Sequence, residues 1–310
     1  MELRIFTEPQ QGASYDQLLQ VAKVSEECGY GAFFRSDHYL KMGSASGLPA
    51  YTDAWTTLAG LARDTSTIRL GTLVTPVTFR APGVFAVQVA QVDHMSGGRV
   101  EVGIGAGWFQ DEHVAYGIPF PPLGQRYNML EDQLALLHGI WSAPPGAKAE
   151  LRGETANFSV EADPLRPAQR PGPPIILGGA GGARSSRLAA AYASEYNVAF
   201  RSLDDTEKVH DSVRRACEEQ GRDPSSMVWS AAQVLCCGTT DSEVERRAKA
   251  IGREVEELRS NGLAGSPAQV VDKIQTFAAA GVTRMYLQVL DLADTDHIRL
   301  VAGEVMAEVG

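Results

Sequence analysis

Short runs of β-branched and aliphatic residues alternate along this chain with longer stretches in which apolar positions return every three or four residues. The first pattern is that of buried strands and the second that of amphipathic helices, so their alternation predicts βα units around a parallel sheet. Eight strands are expected, at Leu3–Thr7, Ala32–Arg35, Ile68–Val74, Val100–Gly105, Ile175–Gly178, Tyr196–Ala199, Val228–Cys236 and Arg284–Val289. Helical stretches fall between them at Tyr15–Cys28, Ala54–Asp64, Pro82–His94, Asn128–Trp141, Ser185–Ala193, Asp205–Gln220, Asp241–Arg259 and Pro267–Ala279, with a closing helix from Thr295. The punctuation agrees: Gly29 and Gly281 follow their helices, Asp53 stands as an N-cap, and Ser266-Pro267 reads as a cap followed by proline at the first helical position. Eight strands, each followed by a helix, are what a closed parallel barrel requires. The predicted fold class is therefore α/β, a (β/α)8 TIM barrel, with an open doubly wound sheet as the runner-up. Residues 142–174, rich in proline and glycine, are too long for a plain connection and read as an insertion at the barrel rim in which Phe158-Ser159-Val160-Glu161 can form a small hairpin. The whole of 1–310 is read as one domain.

Composition changes this picture little. With 310 residues, 44% hydrophobic and 21% charged, the chain can bury a large core, and disorder is excluded as its class. Met1 leads straight into Leu3-Arg4-Ile5-Phe6 without a basic stretch, and no apolar run has the length of a membrane span, so a soluble, cytoplasmic protein is expected. A formal charge of −10 argues against nucleic-acid partners, whose binding rests on a basic surface. Cys28, Cys217, Cys236 and Cys237 lack metal-site spacing and are expected as reduced thiols; no metal is expected.

In such a barrel the chemistry sits on loops at the C-terminal strand ends. Three loops carry candidate residues. After the second strand, Asp37 and His38 place a carboxylate beside an imidazole, a pair suited to proton transfer, while Tyr39 follows on the substrate side. Their alternative reading is an ordinary turn at the rim. After the fourth strand, Gly103, Gly105, Ala106 and Gly107 let backbone approach a ligand closely, and Trp108 and Phe109 can cover a planar ring. Asp111 and Glu112 lie a turn further on. After the fifth strand, Gly178, Gly179, Ala180, Gly181 and Gly182 open a helix carrying Arg184 and Arg187, which makes an anion site from backbone amides and charge. This stretch also has the look of a nucleotide-binding βα turn, with Glu195 near the place of a ribose-binding acid, although such a turn normally opens its domain. The remaining histidines, His94, His113, His138, His210 and His297, read as surface or structural.

Taken together and in order, these segments resemble the luciferase-like monooxygenase family, in its branch of coenzyme F420-dependent oxidoreductases. The resemblance spans essentially the whole chain. It rests on Phe34-Arg35-Ser36-Asp37-His38, on Ile68-Arg69-Leu70-Gly71-Thr72 and on Asp93-His94-Met95-Ser96-Gly97-Gly98-Arg99. Gly103-x-Gly105-x-Gly107-Trp108, Pro174-Ile175-Ile176-Leu177-Gly178-Gly179, and Gly265-Ser266-Pro267 through Ala280-Gly281 complete it. The resemblance implies a barrel with a rim insertion, usually a homodimer, and a flavin-type ring across its mouth. It implies that His38, with Asp37 beside it, is the acid or base. It further implies a non-prolyl cis peptide at Leu73–Val74 behind the ring, Gly105, Ala106 and Gly107 along the ring or its side chain, and Gly178 through Gly182 on the phosphate. One departure matters: Trp108 stands where the sugar-phosphate dehydrogenases of this family carry a catalytic glutamate, which places that substrate class in doubt and assigns Trp108 to an aromatic substrate or to packing.

The expected function is hydride transfer between F420 and a small organic substrate, with Arg184, Arg187 and Arg80 meeting the anionic tail of the deazaflavin. The alternatives are an FMN-dependent two-component monooxygenase, served by a separate cofactor reductase, and a flavin-binding barrel without catalysis.

Overall fold

In the computed structural model the described residues are 1–310 apart from 44, 50, 145–148, 154–158 and 163–164. Eight parallel strands close on themselves: β1 (Glu2–Thr7), β2 (Ala32–Arg35), β3 (Arg69–Pro76), β4 (Val100–Gly105), β7 (Ile175–Gly178), β8 (Glu195–Ala199), β9 (Val228–Cys237) and β11 (Arg284–Val289). Pairing of β11 with both β1 and β9 joins the ends, and β8 pairs with β9, so the sheet is a closed (β/α)8 barrel and the open-sheet alternative is excluded. Within the segment read as an insertion, β5 (Ala149–Arg152) and β6 (Ser159–Ala162) form an antiparallel hairpin. Phe158, expected at its start, lies outside the described residues.

The helices begin where side chains can satisfy the free amides of a first turn. Ser14 and Ser266 form capping boxes with Gln17 and Gln269 at the starts of α1 (Tyr15–Glu27) and α10 (Pro267–Ala279), and Asp53 caps α2 (Ala54–Asp64) through the Thr56 N–H at 2.7 Å. The next helices are α3 (Pro82–Ser96), a short α4 (Gln110–Tyr116) and α5 (Leu123–Ser142), which starts five residues ahead of the expected Asn128. They are followed by α6 (Ala183–Tyr192) and α7 (Leu203–Glu219). The stretch expected as one helix from Asp241 is two, α8 (Asp241–Ala250) and α9 (Val255–Asn261). Gly252 breaks it with a left-handed φ of 65°, a conformation that ends a helix at little cost only at glycine. A short strand, β10 (Leu263–Gly265), not foreseen from the sequence, then adds to the end of β9. After β11 the chain finishes in α11 (Thr295–Val301), which runs on through a π turn.

Strand alternation divides the core into two layers. Ile5 and Phe33 point outward into a large cluster with Leu18, Leu58 and Phe85, whereas their neighbours Phe6 and Phe34 point into the barrel with Ile176, Ala232 and Tyr286. Below this inner apolar layer, at the N-terminal strand ends, lies a buried charged layer. Arg4 donates to both oxygens of Glu101, at 2.6 and 3.0 Å, and its guanidinium lies between the rings of Phe34 and Tyr286. Arg69 also pairs with Glu101, and Arg284 pairs with Glu195 and Glu2. Glu195 therefore sits at the stability end of the barrel, opposite the mouth, and is not positioned to bind a ribose.

Candidate active site

At the C-terminal ends of the strands lies a cavity of about 580 Å³. The loop after β2 reaches it with alternate residues. Ser36 and His38 line the cavity, whereas Asp37 and Tyr39 point into the wall behind it. Arg35, fully buried, fixes this loop by donating to Thr52 and Thr57 at 2.9 and 2.8 Å.

Asp37, expected beside the reacting groups, does not line the cavity. Its carboxylate is fully buried, accepts from Arg80 at 2.6 Å and from the Thr75 hydroxyl at 2.8 Å, and faces no open space. Tyr39 is likewise moved off the substrate side. Its hydroxyl donates to Asp53 at 2.6 Å while its ring packs on Phe79 and Tyr116. Arg80 bridges Asp37 and Asp53; burial pushes the Asp53 carboxyl up, but Arg80 and the Tyr39 hydroxyl outweigh that and hold it down to about 2.

His38 has a partner that the sequence did not reveal. Its Nδ1 lies 2.9 and 3.1 Å from the two oxygens of Glu112, whose carboxylate is fully buried and also accepts the Tyr39 N–H at 3.0 Å. A carboxylate already accepting one N–H takes the Nδ1 proton as a second, which fixes the tautomer and leaves Nε2 to the cavity. Glu112 comes into reach because α4 is anchored from beneath. His113 is buried with Nδ1 at 2.8 Å from the Phe109 carbonyl and Nε2 at 2.6 Å from the Thr78 hydroxyl, which ties α4 to the loop after β3. Trp108 and Phe109 stack on each other and meet the His38 ring edge-on at 5.8 and 6.1 Å. Trp108 is 66% exposed, so it stands at the rim and is not packed under the insertion.

The far wall is built from close backbone approach. The Leu73–Val74 peptide is cis, as the resemblance implied, and the β3–β4 register shifts between Thr72 and Thr75. Leu73, Val74, Gly105, Ala106 and Gly107 all line the cavity, and a Cβ at Gly105 would sit 3.1 Å from the Val74 side chain. After β7, Gly178, Gly179 and Ala180 line it too; a Cβ at Gly178 would meet the Asn197 carbonyl at 2.8 Å. Gly181 and Gly182 do not reach the cavity but lead into α6, whose N-terminus has no side-chain cap.

Arg184 and Arg187 turn away. Arg184 binds Asn128, the Gly124 carbonyl and Glu131, and Arg187 holds both oxygens of Glu131 at 2.8 Å. With Arg80 held by Asp37 and Asp53, the three arginines expected on an anionic tail are all engaged elsewhere. Arg201 lines the cavity instead, together with Glu8, Asn197 and Phe200. Burial pushes the Glu8 carboxyl up, against the opposing pull of His38 and Gln11. Two other histidines are neutral and structural, burial lowering His210 to about 4 and His297 to about 3. Among the described residues no group of three metal-ligating side chains converges, and no helix is long and apolar enough to cross a membrane.

The family description of the luciferase-like monooxygenases matches residues 1–259. The chain belongs to that family. This luciferase-like oxidoreductase is 29% identical over 202 residues to an uncharacterized protein of Mycobacterium tuberculosis, covering 61% of this chain and 69% of the other. It is 26% identical over 237 residues to an FMNH2-dependent dimethylsulfone monooxygenase of Pseudomonas putida, covering 65% and 64%. To an F420-dependent hydroxymycolic acid dehydrogenase of M. tuberculosis it is 28% identical over 217 residues, covering 68% and 56%. The same barrel recurs in an F420-dependent secondary alcohol dehydrogenase in complex with an F420-acetone adduct, with TM-score 0.83 and 17% identity over all of this chain and 99% of that one. The oxygenating constituent of 3,6-diketocamphane monooxygenase from P. putida, in complex with FMN, matches with TM-score 0.80 and 19% identity, again over 100% and 99%. Family membership therefore establishes an enzyme class that includes both F420-dependent and FMN-dependent relatives.

Proposed function

We propose that this enzyme transfers hydride between coenzyme F420 and a small organic substrate, with His38 handling the substrate's proton. The observation that carries this reading is the His38–Glu112 pair at the cavity. An imidazole held in one tautomer by a buried carboxylate is a proton donor or acceptor at a fixed place, and interconverting a carbonyl and an alcohol by hydride needs one such group. The cavity suits a flat ring: Leu73, Val74 and Gly105 through Gly107 make one side of it, and the approach at Gly105 has no room for a larger side chain without displacing Val74. Gly178 through Ala180 and the uncapped N-terminus of α6 offer amides to a phosphate.

Bound there, F420 supplies a ring carbon that donates or accepts hydride and reacts poorly with dioxygen. The protein's own part is to orient the substrate oxygen toward His38 Nε2 and to move one proton there, while Glu112 stabilises the imidazolium that forms when His38 accepts it. Trp108 lines the cavity beside His38, which supports a substrate-contacting role for it.

FMN-dependent oxygenation is the second reading, favoured by the engagement of Arg80, Arg184 and Arg187 and by the P. putida relatives. The test is dependence on oxygen. Under strict anaerobiosis a panel of ketones and secondary alcohols is expected to change the oxidation state of F420, followed by its absorbance. Conversion that occurs only with reduced FMN and dioxygen overturns the proposal.

A further inference from the structure

A second cavity of about 1080 Å³ adjoins the first and occupies the other half of the barrel mouth, above the ends of β9, β11 and β1 and against α8 and α9. Glu8, Trp108, Phe200 and Arg201 line both cavities, so the two communicate beside His38. We propose that this groove seats an organic monocarboxylate with an apolar body, its carboxylate held by Arg201 and Lys249. The inference rests on the reading of the first cavity as the cofactor site and names the class of substrate that reaches it.

Charge balance points to an anion. Three charged side chains of the groove already have partners: Arg253 holds Glu257 through contacts of 2.6 to 3.0 Å, and Glu8, whose carboxyl burial pushes up, accepts from Gln11 at 3.4 Å. Among the described residues, the exposed side chains of Arg201 and Lys249 make no hydrogen bond or ion pair; Arg201 lines both cavities, and Lys249 lines this groove and a shallow cleft between α8 and α9. On a chain of formal charge −10, two unpaired cations on one cavity attract an anion into it. The flat guanidinium of Arg201 matches a carboxylate in a bidentate pair.

The backbone that carries Arg201 is fixed. The preceding Phe200 has φ 56°, the one non-glycine residue with positive φ among those described, a conformation that persists only where its surroundings impose it. Its N–H donates to the Ala232 carbonyl at 2.8 Å, and buried Gln233 donates to the Arg201 carbonyl at 2.6 Å. The result presents the Phe200 ring and the Arg201 guanidinium at the junction of the two cavities.

An apolar strip in the lining, set among the polar Gln11, Ser46, Ser202, Asn261 and Gln288, takes the apolar body. Met42, Trp108, Phe200, Val234, Ile251 and Leu290 supply hydrocarbon surface. Ligand sites span about 300 to 1,000 Å³, so a groove at the top of that range exceeds the need of a two- or three-carbon substrate.

The test uses octanoate and its neutral counterpart octanamide as probes, read by tryptophan fluorescence. Trp108 is the exposed reporter, since Trp55, Trp141 and Trp229 are buried. Octanoate is expected to bind wild type more tightly than octanamide, and Arg201→Gln to weaken octanoate about tenfold or more, as loss of a charged hydrogen bond does, with Lys249→Gln weakening it less. Octanamide affinity should be the same in all three proteins. Absence of octanoate binding, or equal affinity for the two probes, overturns the proposal. F420 and FMN are titrated against Lys249→Gln and Arg201→Gln in parallel. Unchanged cofactor binding with weakened octanoate supports the groove, whereas a loss confined to F420 in Arg201→Gln assigns that arginine to the cofactor and overturns it. Octanoate binding to a protein that takes up neither cofactor sinks the cofactor reading and leaves the groove standing.

Discussion

Replacing His38 by alanine should lower kcat by about 10² to 10⁴, the usual worth of a positioned acid or base, while cofactor affinity stays within about twofold. His38 is the titratable ring in the cavity whose Nε2 is left open, and it is held there by Glu112 and by the flanking Trp108 and Phe109 rings. Glu112 is a positioning residue, buried behind His38 and out of contact with the cavity. Glu112→Gln keeps the shape and removes the negative charge that holds the Nδ1 proton, so kcat should fall about a hundredfold with KM little changed. Because Glu112 acts through His38, the double variant should be no slower than His38→Ala alone. Steady-state kinetics on the three proteins decide it: additive losses would show that Glu112 works on the substrate or on the fold independently of His38.

The largest effect on stability is expected from Glu101→Ala. Glu101 is 4% exposed and accepts from both Arg4 and Arg69, while Arg4 itself is 2% exposed. Removing the carboxylate leaves the buried Arg4 guanidinium only Glu2, at 2.7 Å, and the Tyr286 hydroxyl, at 3.3 Å, and deleting one member of a buried pair costs about 3 to 5 kcal/mol. A fall in the urea midpoint at constant slope would show it, and a change below about 1 kcal/mol would show that Glu2 and Tyr286 suffice to hold Arg4. The same group sets an acid limit. Burial pushes the Glu101 carboxyl up, but Arg4, with Arg69 and Arg284 behind it, outweighs that and holds it below its ordinary 4.5. A folded value below the unfolded one means that this contribution is complete above pH 4.5 and is lost as pH falls below it through the folded value. Glu101→Ala should accordingly flatten the acid side of the stability profile.

The barrel was legible because its signals are local. Strand runs, capping boxes at Ser14 and Ser266, and the helix-ending Gly29 and Gly281 are each set by a few neighbouring residues. The glycine-lined walls were legible for the same reason. What failed was direction. The loop after β2 was correctly placed at the mouth, but the two-residue alternation of the strand carries on into it, so Ser36 and His38 face the cavity while Asp37 and Tyr39 face the wall. Pairing across the fold was also hidden. Glu112 lies 74 residues from His38, and nothing local marks a carboxylate in the first turn of α4 as the partner of that imidazole. The partner of Arg184 and Arg187 was hidden too, because their distance from the glycine loop is visible in sequence whereas Glu131, which holds both, comes from another helix.

The central claim, a deazaflavin ring site with His38 beside it, is tested most directly by titrating the purified protein with F420 and with FMN under the same conditions and following quenching of each cofactor's fluorescence. Tight, saturable binding of F420 that exceeds that of FMN is the predicted result. Saturable binding of FMN with none of F420 would contradict it.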